Sequence, residues 1–166
     1  WEINKASTSE SIVESKSLKH YFHSYYKKTF TNEKDVLLRI KKDLTKITKT
    51  DVEINFVNKF HIEPKSLNIN TTSRKFTKPN YPICFDGFRS ICPVTSQPDF
   101  AKIYILTSAK IEIQWLRKFL SSFKESGEFH EQCIEDIFSK LQSKYSHEKF
   151  EVCGRFLRRG GIDINP

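Results

Sequence analysis

The sequence predicts an α+β fold built from two related modules, and three observations carry this. Apolar Val36, Leu37, Ile40, Leu44 and Ile47 recur at helical spacing, which marks 32–49 as an amphipathic helix. Asp51 to Phe56 alternates polar and apolar side chains, the signature of a half-buried strand. The same order of elements then returns 98 residues later: Leu18 to Tyr25 aligns with Leu116 to Phe123, and Val52-Glu53-Ile54 with Phe150-Glu151-Val152. Phe30 meets Phe129 at an offset of 99, so a small gap lies inside the repeat. Duplicated units of this kind stack or pair their sheets, because neither half buries its apolar face alone.

The remaining elements follow in chain order. Ser7 to Glu10 is a polar lead-in, and Ser17 to Tyr26 is dense in aromatics. Asn58 to Asn80 has mixed polarity and ends in Lys78-Pro79-Asn80, so it is the expected connector between modules at 1–80 and 81–166. Next comes Ser90 to Phe100, with one thiol, a carboxylate seven residues later and two prolines between them. Each proline fixes its own φ and pushes the preceding residue toward extended geometry, which makes this stretch a stiff loop. Ile103 to Leu106 reads as a buried strand and Ile113 to Phe123 as a helix that Ser126-Gly127 breaks. Phe129, Cys133, Ile134, Ile137, Phe138, Leu141 and Tyr145 mark one face of a further helix, and Phe150 to Phe156 reads as a strand.

Composition narrows the function classes. With 166 residues, 37% hydrophobic content and 14 Phe, the chain can bury a core and is not wholly disordered. A net charge of +8 points to a polyanionic partner: nucleic acid, a phosphorylated cofactor or an acidic surface. No apolar run approaches the ~18 residues of a membrane span, so no membrane partner is expected. Trp1 to Lys5 lacks the apolar core of a secretion signal, and reduced thiols in a cytoplasmic protein are therefore expected. The cysteines are Cys84, Cys92, Cys133 and Cys153, with no C-x-x-C, and the histidines are scattered; no metal site is expected. The start at Trp1, the lack of Met and the stop at Pro166 suggest part of a longer polypeptide.

Four segments carry groups suited to chemistry. Cys92 offers a nucleophile and Asp99 a proton donor or acceptor. Phe129-His130-Glu131 opens a helix, where a carboxylate can accept two parallel N–H bonds from a guanine-like edge. Glu14 to Lys19 combines Ser, Lys and the N–H groups of a helix start, a setting that suits phosphate. Arg158 to Pro166 pairs Arg with Gly, so that guanidinium and backbone can both approach a phosphate. Each segment alone has a plainer reading: a core thiol, a helix-dipole acid, a solvated cap, a basic turn. The repeat adds one discriminator, since His130 and Glu131 occupy the places that Thr31 and Asn32 hold in the first copy.

Taken together, Val13 to Lys19, Cys92 to Asp99, Glu128 to Cys133 and Arg158 to Asp163 resemble the NADPH-dependent 7-cyano-7-deazaguanine reductases of queuosine biosynthesis, a tRNA modification pathway. These nitrile reductases have the tunnelling fold (T-fold). The resemblance runs from Ile12 to Pro166 and is weakest from Asn58 to Asp86. The cofactor motif precedes the cysteine, as in the longer, two-module subfamily. The resemblance implies antiparallel sheets with helices on one face and a homo-oligomer, a homodimer as first expectation. It implies that Cys92 forms a thioimide with the nitrile and that Asp99 donates protons. Val13, Glu14, Ser15, His130 and Glu131 match substrate-binding positions; Ser15, Lys16, Arg159 and Gly160 match NADPH-binding positions. Lys19 and Arg158 are given supporting electrostatic roles.

The chain departs from the long subfamily in a missing lead-in before Glu14, a short connector before Cys92 and nothing after Pro166. Direct nucleic-acid binding is not expected. Two other classes stay open: a different tunnelling-fold enzyme, such as an amidinotransferase relative or a zinc cyclohydrolase, and a basic RNA-binding module that would stack bases on Tyr21, Phe22, Tyr25 and Tyr26.

Overall fold

The computed structural model describes residues 2–5, 11, 13–57, 62–157 and 165–166. The chain forms two compact units, Trp1–Ile62 and Glu63–Pro166. The boundary therefore falls 18 residues before the expected one at 80/81. Backbone pairing explains the shift. Leu67 and Asn68 pair with Ile83 and Cys84, Thr77 N–H bonds the Ile111 carbonyl at 2.9 Å, and Asn80 N–H bonds the Thr107 carbonyl at 2.6 Å. Most of the expected connector is thus built into the second unit.

In the first unit, β1 (Glu2–Lys5) pairs antiparallel with β2 (Val52–Asn55), with Ile3 opposite Ile54. Two helices lie between them in sequence, α1 (Ser15–His23) and α2 (Glu33–Thr48). Helix α2 starts where Asn32 accepts the Asp35 N–H at 3.0 Å and stops at Lys49, which takes a left-handed φ of 54°. Val36, Ile40 and Leu44 bury its apolar stripe against Val52 and Ile54. Tyr21, Phe22 and Tyr25 of the aromatic segment pack on the same core. The Tyr21 hydroxyl donates to Asp43 at 2.8 Å and ties α1 to α2.

The second unit is a four-stranded sheet in the order β3 (Leu67–Asn68), β4 (Ile83–Ile91), β5 (Pro98–Thr107), β6 (Phe150–Phe156). β4, β5 and β6 are antiparallel, as expected, but β3 joins β4 in parallel, so the sheet is mixed. Strand β4 has no counterpart in the sequence reading. Its alternation breaks at a bulge between Phe85 and Phe88, where Gly87 takes a φ of 75° that disfavours a side chain. Helix α3 (Ile113–Ser121), a short 3-10 turn and helix α4 (His130–Lys144) cover one face. Ile113, Leu116, Leu120, Ile134, Ile137 and Leu141 fill the layer against Phe88, Ile103 and Ile105.

The repeat survives as element order. The starts of α1 and α3, and of β2 and β6, are each 98 residues apart. Among the described residues, no helix is long and apolar enough to cross a membrane.

Gly154 of β6 shows how closely α4 lies on the sheet. A Cβ there would meet Ile134 Cδ1 at 2.6 Å and the Phe156 ring at 2.9 Å. Gly154→Ala is therefore expected to cost about 1–3 kcal/mol through overpacking. Thermal or urea unfolding checks this, and an unchanged midpoint would mean that α4 is not tightly seated.

Candidate functional site

The site begins at the turn between β4 and β5. Ile91 pairs with Pro98 and Ser90 with Asp99 across the ladder. Pairing continues past the strand ends, because Cys92 N–H bonds the Gln97 carbonyl at 2.9 Å. Ser96 N–H returns to the Cys92 carbonyl at 2.9 Å, with Ser96 at a left-handed φ of 54°. The expected stiff loop is thus a closed turn. Residues opposite each other share a face, as do residues two apart along a strand, so Cys92, Ser90 and Asp99 all face the helical layer. Cys92 and Asp99 are buried beneath the exposed residues 93–97. Thr95 N–H points at the Cys92 sulfur at 3.3 Å, a donor that binds a thiolate more strongly than a thiol.

The start of α4 reaches this turn by backbone pairing. Ile91 forms a parallel bridge with Gly127, and its N–H bonds the Ser126 carbonyl at 2.8 Å. Segment 126–128 therefore runs beside the end of β4 and delivers α4 to Asp99. His130 Nε2 lies 2.9 Å from Asp99 Oδ2, with both side chains almost fully buried. The imidazole also stacks on Phe156, with ring centroids 3.9 Å apart and planes at 14°. Its other nitrogen, Nδ1, is buried without a hydrogen-bond partner among the described residues. A buried polar atom of this kind ordinarily has a partner, and a polar ligand would supply one. Glu131 follows on the first turn of α4 and is half-buried.

The other three cysteines are different in kind. Burial pushes the Cys133 thiol up to about 11 and also raises Cys84 and Cys153. None of the four is in a disulfide. Cys92 alone sits on a turn at the end of a strand, under a backbone donor.

Glu128, one residue before Phe129, has its carboxyl raised by burial and by the neighbouring Asp136 carboxyl, whose Oδ1 accepts from Gln132 Nε2 at 2.8 Å. Its contribution to stability is fully present below the unfolded value of about 4.3 and is lost as pH rises through the raised folded value. Glu128→Gln is therefore expected to raise the melting temperature at pH 7 and to give no gain near pH 4. Melting curves across that range test this, and a loss at pH 7 would mean that the Glu128 charge is needed.

The Glu14 to Lys19 segment lies in the first unit. Glu14 caps α1: its oxygens accept from Lys16 N–H and Ser17 N–H, both at 2.8 Å, and from the Ser17 hydroxyl at 2.8 Å. Burial opposes the Glu14 charge, but these bonds outweigh it and hold the carboxyl below its ordinary value. The helix-start N–H groups expected to meet a phosphate are thus occupied by the chain's own carboxylate. What remains suited to an anionic cofactor is the ammonium groups of Lys16 and Lys19. Ser15 is buried and Val13 packs on the core of the first unit. Arg158, Arg159 and Gly160 lie outside the described residues. Of the aromatics that could have stacked RNA bases, Tyr21, Phe22 and Tyr25 pack on the core and Tyr26 is exposed.

Of the candidates Cys92, Asp99, His130 and Glu131 singled out in the sequence, the structure gathers the first three around one turn. Sequence reasoning missed Phe156 and the Ser126-Gly127 strand extension. Phe156 was findable, since alternation in Phe150 to Phe156 puts it on the inner face.

Comparison with known proteins places the chain in a family. Residues 1–56 match the family described as "Nitrile reductase, 7-cyano-7-deazaguanine-reductase N-term", and residues 98–166 match "QueF-like protein". Relatives named NADPH-dependent 7-cyano-7-deazaguanine reductase align with nearly the whole chain. The protein from Colwellia psychrerythraea is 32% identical over 99% of this chain and 68% of its own length. That of Buchnera aphidicola subsp. Schizaphis graminum is 35% identical over 95% and 69%, and that of Legionella pneumophila (strain Paris) 35% over 93% and 62%. With both family regions matched in order and relatives more than 30% identical aligned over most of the chain, this chain belongs to the 7-cyano-7-deazaguanine reductase family.

Proposed function

We propose that this chain reduces 7-cyano-7-deazaguanine to 7-aminomethyl-7-deazaguanine with NADPH, through a covalent intermediate on Cys92. The observation that carries this reading is the buried His130–Asp99 pair, 2.9 Å apart, facing the Cys92 turn. This pair supports a reading in which Cys92 is the nucleophile, Asp99 moves protons and His130 orients the Asp99 carboxyl.

In this mechanism the Cys92 sulfur attacks the nitrile carbon. One C–N π bond opens, a C–S bond forms, and the nitrogen takes a proton that Asp99 donates, giving a thioimide. Bound NADPH supplies hydride, two equivalents for reduction of a nitrile to an amine. Cys92 leaves as thiolate after the first reduction, and Asp99, held by His130 Nε2, carries protons between steps. His130 Nδ1, buried without a hydrogen-bond partner among the described residues, is assigned to the substrate. Glu131 is assigned to the deazaguanine N1–H and exocyclic amine, for which a carboxylate offers two acceptors. Val13, Glu14 and Ser15 are proposed as further substrate contacts, although Glu14 must share its carboxylate with the α1 cap. Lys16, supported by Lys19, with Arg159 and Gly160, would hold the NADPH phosphates.

The fold we assign is the tunnelling fold, with one module in each unit, the protein acting as a homodimer. The test is stoichiometry. Two NADPH consumed per nitrile, with amine as product, supports the reading; no nitrile-dependent NADPH loss overturns it.

A further inference from the structure

We propose a phosphate-binding site in the second unit, in a groove formed by the β3 segment and the turn leading into β4, separate from the cysteine turn. The groove has a volume of about 400 Å³, and Ser66, Asn68, Thr71, Arg74, Lys78 and Tyr81 line it. That volume lies in the range of small-ligand sites. Among the described residues, no Asp or Glu lines it. Neither Arg74 nor Lys78 forms an ion pair with a described residue; the Lys78 ammonium only approaches the Tyr81 ring, 5.9 Å from its centroid.

The polar groups are turned so that donors are left over. Asn68 Oδ1 is taken by Asn70 N–H at 2.8 Å, which leaves its amide N–H groups. Thr72 Oγ1 accepts from Arg74 N–H at 3.3 Å, which leaves its own hydroxyl hydrogen. Two cations and several spare donors, with no competing carboxylate, match a ligand that only accepts, such as a phosphate.

The walls are fixed before any ligand arrives, which lowers the ordering cost of binding. Arg117 grips the loop from beneath through the Ile69 and Thr72 carbonyls. Asn70 exchanges two hydrogen bonds of 2.9 Å with the Asp86 backbone. Thr77 is anchored to Ala109 and Ile111.

The groove lies at the start of β4, while Cys92 follows its other end, nine residues away at roughly 3.3 Å per residue. It also falls between the family-matched spans 1–56 and 98–166, so neither match supplies it. The ligand class is a phosphorylated small molecule. The phosphate belongs either to a free metabolite or to the cofactor.

Isothermal titration of the whole chain with pyrophosphate tests the site, comparing wild type with Arg74→Ala/Lys78→Ala. Saturable, salt-sensitive binding that weakens about tenfold or more in the double variant is expected. Both side chains are exposed, so an unchanged melting temperature confirms that the variant is folded. Titration with NADPH identifies the source. Parallel loss of NADPH affinity assigns the site to the cofactor's phosphates; unchanged NADPH affinity assigns it to a free phosphorylated ligand. No saturable pyrophosphate binding, or equal binding by the double variant, overturns the proposal. These readouts need no turnover, so they stand or fall apart from the nitrile reductase reading.

Discussion

Cys92→Ala is expected to abolish turnover and covalent adduct together, lowering activity by more than about a thousandfold. The other three thiols cannot substitute. Cys133 is fully buried with its thiol pushed up to about 11, and Cys84 and Cys153 are raised by burial. The fold should tolerate the change, because two backbone bonds of Cys92 close the turn and survive loss of the Thr95 N–H contact to its sulfur. NADPH consumption with 7-cyano-7-deazaguanine, read beside a melting curve, checks this. A folded Cys92→Ala protein with residual turnover above one part in a hundred would exclude a nucleophilic role.

Asp99→Asn is expected to lower turnover by about 10²–10⁴-fold while leaving adduct formation detectable. The amide keeps the shape of the carboxylate at the second position of β5 and can still meet His130 Nε2. It cannot hand a proton to the nitrogen as the carboxyl does. The expected signature is a thioimide that forms more slowly than in the wild type and also decays slowly when NADPH is added. Steady-state rates beside time-resolved intact mass measure both quantities. Wild-type turnover in the Asn variant would mean that the proton comes from elsewhere, with His130 the next group to test.

Much of the fold is legible in the sequence because most elements carry a clean period. Helix α2 runs from Glu33 to Thr48 where the apolar spacing marked 32–49, and β2 and β6 follow from alternation. Strand β4 is not legible: the bulge at Gly87 shifts its register, and both faces of its first half are buried, so no alternation shows. The short β3 was lost for a related reason. Two residues joined to β4 by backbone bonds leave no pattern in side chains, and the unit boundary was set too late as a result.

Residue type alone singles out Cys92, Asp99, His130 and Glu131 as candidates. The site was not legible where chemistry depends on a hydrogen bond already made. Glu14 looks like one acid beside an open helix start. In the structure it fills that start itself, through the N–H groups of Lys16 and Ser17. The contact between His130 and Asp99 joins residues 31 positions apart, and the Ile91–Gly127 bridge and the packing of α4 on the sheet bring them together.

The most direct test of the Cys92 assignment is mass spectrometry of the whole protein incubated with 7-cyano-7-deazaguanine, first without and then with NADPH. The account predicts a mass increase equal to one substrate molecule, located on the peptide that contains Cys92, which disappears on adding NADPH as the aminomethyl product is released. An adduct on Cys84, Cys133 or Cys153, or none on a folded protein that still consumes NADPH, would contradict it.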